Sequence, residues 1–337
     1  MDQVEVDQYQ IDLDQRAESL KNNIPLRVPF SLLVDVTNRC NFRCVMCPTG
    51  NEALLRAAGR RPGMIHLSLY KKVIDETARM GKLRRLGLYK DGEPLLHPDL
   101  PEMIRYAKEK QVAELVNVTT NASLLTPERS KQILESGLDE IRISLRATNT
   151  ESYREVTQVS NISYEGIRDN ILNFVSLRNQ LKLRTPLVVV QMIPMRQNQS
   201  QLDDCLDFWS KRADDVQVEP WMEWDGQAQV PRDGRDSPVL EDAERYACPI
   251  PWYSLVINWD GDVSVCCVDW AKRAVVGNVR KESLSDVWNG EKLRRFRLYH
   301  IEDRYEEMEA CKHCTYWKAK ENISLWLKQN KEKALGV

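Results

Sequence analysis

Nine cysteines stand in this chain of 337 residues, and eight of them fall into two groups. Cys40, Cys44 and Cys47 form a C-x3-C-x2-C run within DVTNRCNFRCVMCPTG, directly after an apolar stretch. Cys248, Cys266, Cys267, Cys311 and Cys314 lie in the last 90 residues, and Cys205 stands alone. Sulfur ligands at this density select zinc, copper(I) or iron–sulfur. Three thiols are awkward for disulfides, which leave one over, and for structural zinc, which takes four ligands. A cluster with three protein ligands leaves one metal coordinatively open, free to bind and activate a substrate or cosubstrate. The C-terminal thiols differ in count. Cys248 to Cys266 reads C-x17-C, or C-x12-G-x4-C through Gly261, and Cys311-x2-Cys314 follows 44 residues later. Four such thiolates complete a closed site, zinc or [4Fe–4S] by ligand count alone. Cys267 is left over. It is either a small buried apolar residue on the opposite strand face from Cys266 or a thiol open to chemistry. Cys205, in SQLDDCLDFW, reads as helix packing.

Positioning these groups requires a scaffold, and the chain alternates β-rich runs with helical patterns. Strands are expected at 31–36, 84–90, 114–120, 139–145, 186–193 and 215–221. Helices are expected at 67–80, 101–110, 127–137, 163–180 and 200–212. Such alternation implies parallel βαβ units, which close into a partial or full barrel or open into a doubly wound sheet. Residues 1–30 read as an N-terminal extension, 31–223 as the α/β domain and 224–247 as a polar Gly-, Pro- and Asp-rich linker. A smaller module occupies 248–337, its centre a hairpin over 253–268 turning at Asp260-Gly261.

Acidic and basic residues nearly cancel, at a net charge of −2 with 29% charged residues. No field favours nucleic acid or an anionic membrane. The first residues, MDQVEVDQYQIDLDQ, are too polar for a signal peptide, and no apolar run approaches the ~18–20 residues of a membrane span. A cytoplasmic protein without nucleic-acid or membrane partners is expected, and there clustered cysteines read as metal ligands.

The C-x3-C-x2-C loop after a first strand resembles the signature of the radical S-adenosylmethionine (SAM) enzymes, with Met46 where that family often has an aromatic residue. The resemblance covers about residues 31–221. It implies a partial (β/α)6 TIM-like barrel. It also implies that Cys40, Cys44 and Cys47 hold a [4Fe–4S] cluster whose fourth iron takes SAM. Asp91-Gly92-Glu93-Pro94 after the second strand resembles the family's Gly-Gly-Glu-Pro motif for the SAM amino group, with Asp91 in place of the first glycine. Asn121, Ser144 and Gln191, at the next strand ends, are the further SAM contacts implied, and ordinary strand-end hydrogen bonding is the alternative for each.

The C-terminal half resembles the SPASM domain in its shortened form, the twitch domain, as found in aminocyclitol and aminosugar dehydrogenases. This implies a second, auxiliary [4Fe–4S] cluster held by Cys248, Cys266, Cys311 and Cys314, suited to electron transfer. The implied activity is oxidation of a carbinol of a sugar- or aminocyclitol-like substrate to a ketone, with a flavodoxin- or ferredoxin-type electron donor. Arg146 and Asp269 are the candidates for gripping substrate, a salt bridge and a solvated hairpin aspartate being the plainer roles. Tyr89, Lys90, Trp221, Glu223 and Trp252 are candidate cavity residues, Lys90 alternatively a surface lysine. His97, His300 and His313 lack a partner pattern for base work. The competing readings are an epimerase with Cys267 as hydrogen donor, a peptide-modifying enzyme, and a zinc-ribbon binding module.

Overall fold

A computed structural model describes residues 14–219, 224 and 245–337. Trp221, Glu223, most of the expected linker and the start of the N-terminal extension lie outside the described residues.

The six expected strands are present: β1 (Ser31–Val34), β2 (Leu83–Gly87), β3 (Ala113–Thr120), β4 (Glu140–Leu145), β5 (Leu187–Met192) and β6 (Asp215–Val218). All pair in parallel and in chain order, β1 to β6. A doubly wound sheet reverses its strand order at a switch point. None occurs within β1–β6, so the architecture is the partial barrel. Helices Leu67–Met80, Leu100–Glu109, Pro127–Leu134, Tyr164–Gln180 and Leu202–Trp209 form the crossovers. Their starts are chemically marked. Thr126 accepts from Arg129 N and Ser163 from Gly166 N, each a side-chain cap worth ~1 kcal/mol.

In β4, Ile141, Ile143 and Leu145 are fully buried while Arg142 and Ser144 are half-buried on the other face. The apolar face packs with Val118, Val190, Ile171 and Phe174 in the main core. Full burial of each such side chain contributes ~1.5–3 kcal/mol. The opposite face is left to polar groups.

The expected C-terminal hairpin exists, as β7 (Ser254–Ile257) and β8 (Asp262–Ser264) around Gly261, whose φ of +91° suits glycine. It is not set apart from the barrel. β7 pairs in parallel with β1 over four residues, Ser31 to Ser254 through Val34 to Ile257, and β9 (Val275–Asn278) completes a nine-stranded sheet. Helical residues 14–23 of the extension also pack on the C-terminal part: Ala17, Leu20 and Ile24 share a core with Trp252, Ile301, Ile323 and Leu327. Trp252 is therefore a scaffold residue, buried there with its indole N–H donating to Ala334 O at 2.8 Å.

Candidate active site

The cysteine loop leaves β1 and is tied down from several sides. Arg43 N and Val45 N donate to Thr157 O and Val156 O, at 3.0 and 2.9 Å. Both carbonyls belong to helix Thr150–Thr157, which the strand–helix pattern did not reveal. Phe42 meets Tyr153 edge-on at 6.3 Å, and Met46 packs with Val156 and Met195. Asn121 Nδ2 donates to Asn41 Oδ1 at 2.9 Å, so the end of β3 is bound to the loop between the first two cysteines.

Burial pushes the Cys40 thiol up to about 12 and the Cys44 thiol up to about 11, and the neighbouring sulfurs add to both rises. The Arg146 guanidinium, at the end of β4, lies close enough to oppose the rise at Cys44. The sulfurs of these three half-buried cysteines, with repulsion raising Cys40 and Cys44, form a donor set that a cationic cluster relieves. Among the described residues no three His, Cys, Asp or Glu side chains converge on one ion-sized point.

The D-G-E-P turn packs against this loop. A Cβ on Gly92 would lie 2.2 Å from Thr37 O and 2.4 Å from Arg39 O, so the backbone approach that demands glycine is to the chain itself. Gly92→Ala forces these backbones apart, and ~3 kcal/mol or more of stability should be lost. Gly166→Ala, whose nearest neighbour is Ser163 Oγ at 3.4 Å, should change stability by less than ~1 kcal/mol. Denaturant melts of the pair check this, and equal midpoints would refute the packing argument.

Glu93 is buried. Its carboxylate accepts from Thr120 Oγ1 at 2.6 Å, Asn121 N at 2.8 Å and Leu95 N at 3.0 Å. Burial still pushes it up to about 7 against those three hydrogen bonds. Pro94 starts the short 3₁₀ turn Pro94–Leu96. Asp91 has a different environment from Glu93. Its Oδ2 accepts from Arg60 Nη2 at 2.9 Å and from Lys90 Nζ at 3.0 Å. Lys90 is thus a buried ion-pair partner and not a surface lysine.

The strand register collects further polar groups. Paired residues share a face, and the ladder runs Asn117 to Glu140, Thr119 to Arg142, Ser144 to Gln191 and Gln191 to Gln217. Ser144 and Gln191 thus lie side by side. Gln191 Nε2 donates to Glu219 Oε1 at 2.6 Å, and Arg142 donates to Glu140 at 2.7 Å and Gln217 at 3.0 Å. Arg142 and Glu219 escaped sequence reasoning. Alternation of Arg142, Ser144 and Arg146 was the available signal.

Cys248, Cys266, Cys311 and Cys314 are also neighbours. Burial and repulsion from Cys314 push Cys248 up to about 12, and burial and repulsion from Cys248 and Cys314 push Cys311 far up. Cys266 rises too, chiefly through its hydrogen bond to Cys267 and through burial. The same hydrogen bond, with Lys320, Lys90 and Tyr316, lowers Cys267 to about 6 against its burial. Cys267 therefore has a polar setting, unlike the apolar packing expected of a buried small residue. Cys205 does pack in the main core, fully buried. His300, which had no apparent partner, is buried with Nε2 3.9 Å from Cys311 Sγ. His97 is a buried scaffold residue, with Nε2 2.9 Å from Ile65 O.

Asp269 is buried, not the solvated hairpin aspartate of its plainer expected role. Its oxygens accept from Arg273 N at 2.7 Å and Ala274 N at 3.0 Å, which closes the loop ahead of β9. With both oxygens engaged by backbone, the carboxylate holds the loop that follows Cys266 and Cys267.

Comparison with known proteins agrees with this geometry. The radical SAM superfamily profile matches residues 34–208, and the iron–sulfur cluster-binding SPASM domain matches 248–315. The tungsten-containing aldehyde ferredoxin oxidoreductase cofactor-modifying protein of Pyrococcus furiosus is 23% identical over 324 residues, 83% of this chain and 86% of that protein. The GTP 3′,8-cyclase of Limosilactobacillus fermentum is 30% identical over 177 residues, 52% of this chain and 49% of that protein. BtrN in complex with AdoMet and 2-DOIA superposes with a TM-score of 0.56 at 20% identity, over 86% of this chain and 93% of that one. Streptococcus suis SuiB bound to S-adenosylmethionine gives 0.65 at 17% identity, over 94% and 78%. These two likenesses are ones of fold. The chain belongs to the radical SAM superfamily and carries a SPASM domain, and its cofactors are S-adenosylmethionine, a SAM-binding [4Fe–4S] cluster and an auxiliary iron–sulfur cluster.

Proposed function

We propose that this enzyme is a radical SAM oxidoreductase that oxidises a carbinol of a sugar- or aminocyclitol-like molecule to a ketone. The observation that carries the reading is the gathering of four thiols, Cys248, Cys266, Cys311 and Cys314, in loops and turns beside a sheet continuous with the barrel. Four protein ligands leave no iron open to substrate, which suits an electron acceptor. When bound, SAM and its cluster would supply a radical able to take one hydrogen atom from carbon, and a cluster held by Cys248, Cys266, Cys311 and Cys314 would supply an acceptor for the remaining electron as the hydroxyl proton leaves to solvent.

The chain's own groups divide the remaining work. Cys40, Cys44 and Cys47 hold the first cluster, open by one ligand. Gly92, Glu93 and Pro94, with Asn121, Ser144 and Gln191, form the SAM-binding wall, while the Asp91 side chain serves the scaffold. Arg146, near Cys44, has a guanidinium suited to a substrate hydroxyl and to developing negative charge on its oxygen. The polar barrel face with Arg142, Gln217 and Glu219 suits a ligand rich in hydroxyls. A flavodoxin- or ferredoxin-type protein delivers the starting electron. The BtrN complex with 2-DOIA supports a small-molecule substrate, and SuiB bound to its precursor peptide SuiA supports the competing peptide reading.

The polar setting of Cys267 favours a second reading, epimerisation with this thiol as hydrogen donor. Turnover of candidate polyols in deuterated water separates the two. We expect a ketone, without solvent deuterium on carbon, and less than about a threefold rate change in Cys267→Ala. Carbon-bound deuterium that disappears in Cys267→Ala would replace the dehydrogenase with an epimerase.

A further inference from the structure

We infer that Lys90 is a positioning residue that clamps the auxiliary-cluster loop to the SAM-motif turn and holds the auxiliary cluster's potential up. The inference rests on the reading of Cys266 as a cluster ligand and of D-G-E-P as the SAM motif.

The Lys90 side chain is 1% exposed. Its ammonium has three donors, and three acceptors surround it: Asp91 Oδ2 at 3.0 Å, Asn258 Oδ1 at 3.1 Å and Asp269 O at 3.1 Å. They come from three parts of the fold. Asp91 opens the SAM motif, Asn258 follows β7, and Asp269 stands three residues after Cys266. The last contact reaches a rigid piece, because the Asp269 carboxylate ties Arg273 N and Ala274 N to the same residue. Fixing Asp269 O therefore fixes the loop that carries Cys266 and Cys267.

The SAM side of the clamp is equally braced. Arg60 Nη2 binds Asp91 Oδ2 at 2.9 Å, with side chains 3% and 1% exposed. Asn38 holds the turn bearing Arg60, donating to Arg61 O at 2.8 Å and accepting from Gly63 N at 2.7 Å. Asp91 N reaches Asp35 Oδ1 at 3.4 Å. Two acids, Asp35 and Asp91, and two bases, Arg60 and Lys90, thus meet in the interior. Such a set is no more stable than well-packed apolar residues, whereas loss of one member leaves a buried unpaired charge. Its distinctive property is register: one ammonium defines where the cluster loop sits against the SAM turn. Lys90 also acts through its charge, because its ammonium sits 3.1 Å from the Asp269 carbonyl, three residues after Cys266. A nearby cation favours the more negative, reduced form of a cluster.

The test uses anaerobically reconstituted enzyme with Lys90→Met and Lys90→Met/Asp91→Asn, the second of which removes one charge of each sign and keeps the balance. Potentiometric EPR follows each cluster, and hydrogen exchange follows residues 266–274. We expect the auxiliary cluster to become about tenfold harder to reduce, ~59 mV for one electron, with the SAM-binding cluster unchanged. Exchange over 266–274 should accelerate at least about tenfold, with β4 and β5 unaffected. A folded variant with the wild-type auxiliary potential overturns the inference, whether or not exchange accelerates. So does unchanged exchange over 266–274. Wild-type protein that takes up only the SAM-binding cluster defeats the functional reading instead, and the exchange arm still decides the clamp.

Discussion

Cys44→Ala is expected to abolish SAM cleavage, with 5′-deoxyadenosine formation falling at least ~10³-fold and iron falling from about eight to about four per chain. The size of the effect follows from the independence of the loop from this sulfur. Its fixed points are the backbone bonds to Thr157 and Val156, the Phe42–Tyr153 contact and the Asn41–Asn121 bond. None uses Cys44 Sγ. The variant should therefore fold, keep its loop and lose only a ligand. With two thiols the site no longer holds a cube, and nothing remains to bind SAM through iron. Chromatography of reaction mixtures and an iron assay read both quantities. Unchanged iron and cleavage in the variant would remove Cys44 from the ligand set. Colourless wild-type protein containing zinc would remove the iron–sulfur enzyme itself.

Local pattern made much of this legible. Runs such as ELVNVTT and DEIRISL specify strands through their β-branched content, and caps such as Thr126 and Ser163 mark helix starts. Sulfur spacing sorts the clustered cysteines into a trio at 40–47 and a second group at 248–314, and the fold keeps the members of each group as neighbours. What escaped depends on contacts between distant residues. The choice of barrel over doubly wound sheet is a matter of strand order, which periodicity does not encode. The union of β1 with β7 joins residues more than two hundred positions apart. Lys90 looked like a surface residue because its acceptors on Asn258 and Asp269 lie 168 and 179 positions away. Asp269 looked available because the turn its carboxylate closes is a loop without a motif.

The same distinction between open and closed ligand sets yields the sharper functional test, Cys311→Ala. Product should fall at least ~100-fold while SAM cleavage continues within about threefold of wild type, the two becoming uncoupled. On the proposed reading the first cluster sits on the loop after β1, and none of the bonds described for that loop comes from the turn carrying Cys311 and Cys314. Cleavage therefore has no need of Cys311. Ketone formation does, because the substrate, having given up a hydrogen atom and a proton, still holds one electron with nowhere to go. The turn itself should survive, since Cys314 N donates to Cys311 O at 3.1 Å and Arg245 Nη2 to the same oxygen at 2.6 Å, both backbone contacts that alanine keeps. Hydrogen exchange across β1 to β6 checks that the barrel is intact. An epimerase that draws its second hydrogen atom from Cys267 leaves a thiyl radical there, which needs one electron and one proton before the next turnover, so loss of this cluster would spare its first turnover, marked by solvent deuterium on carbon, and block later ones. Retained ketone formation in Cys311→Ala would show that the electron leaves by another route.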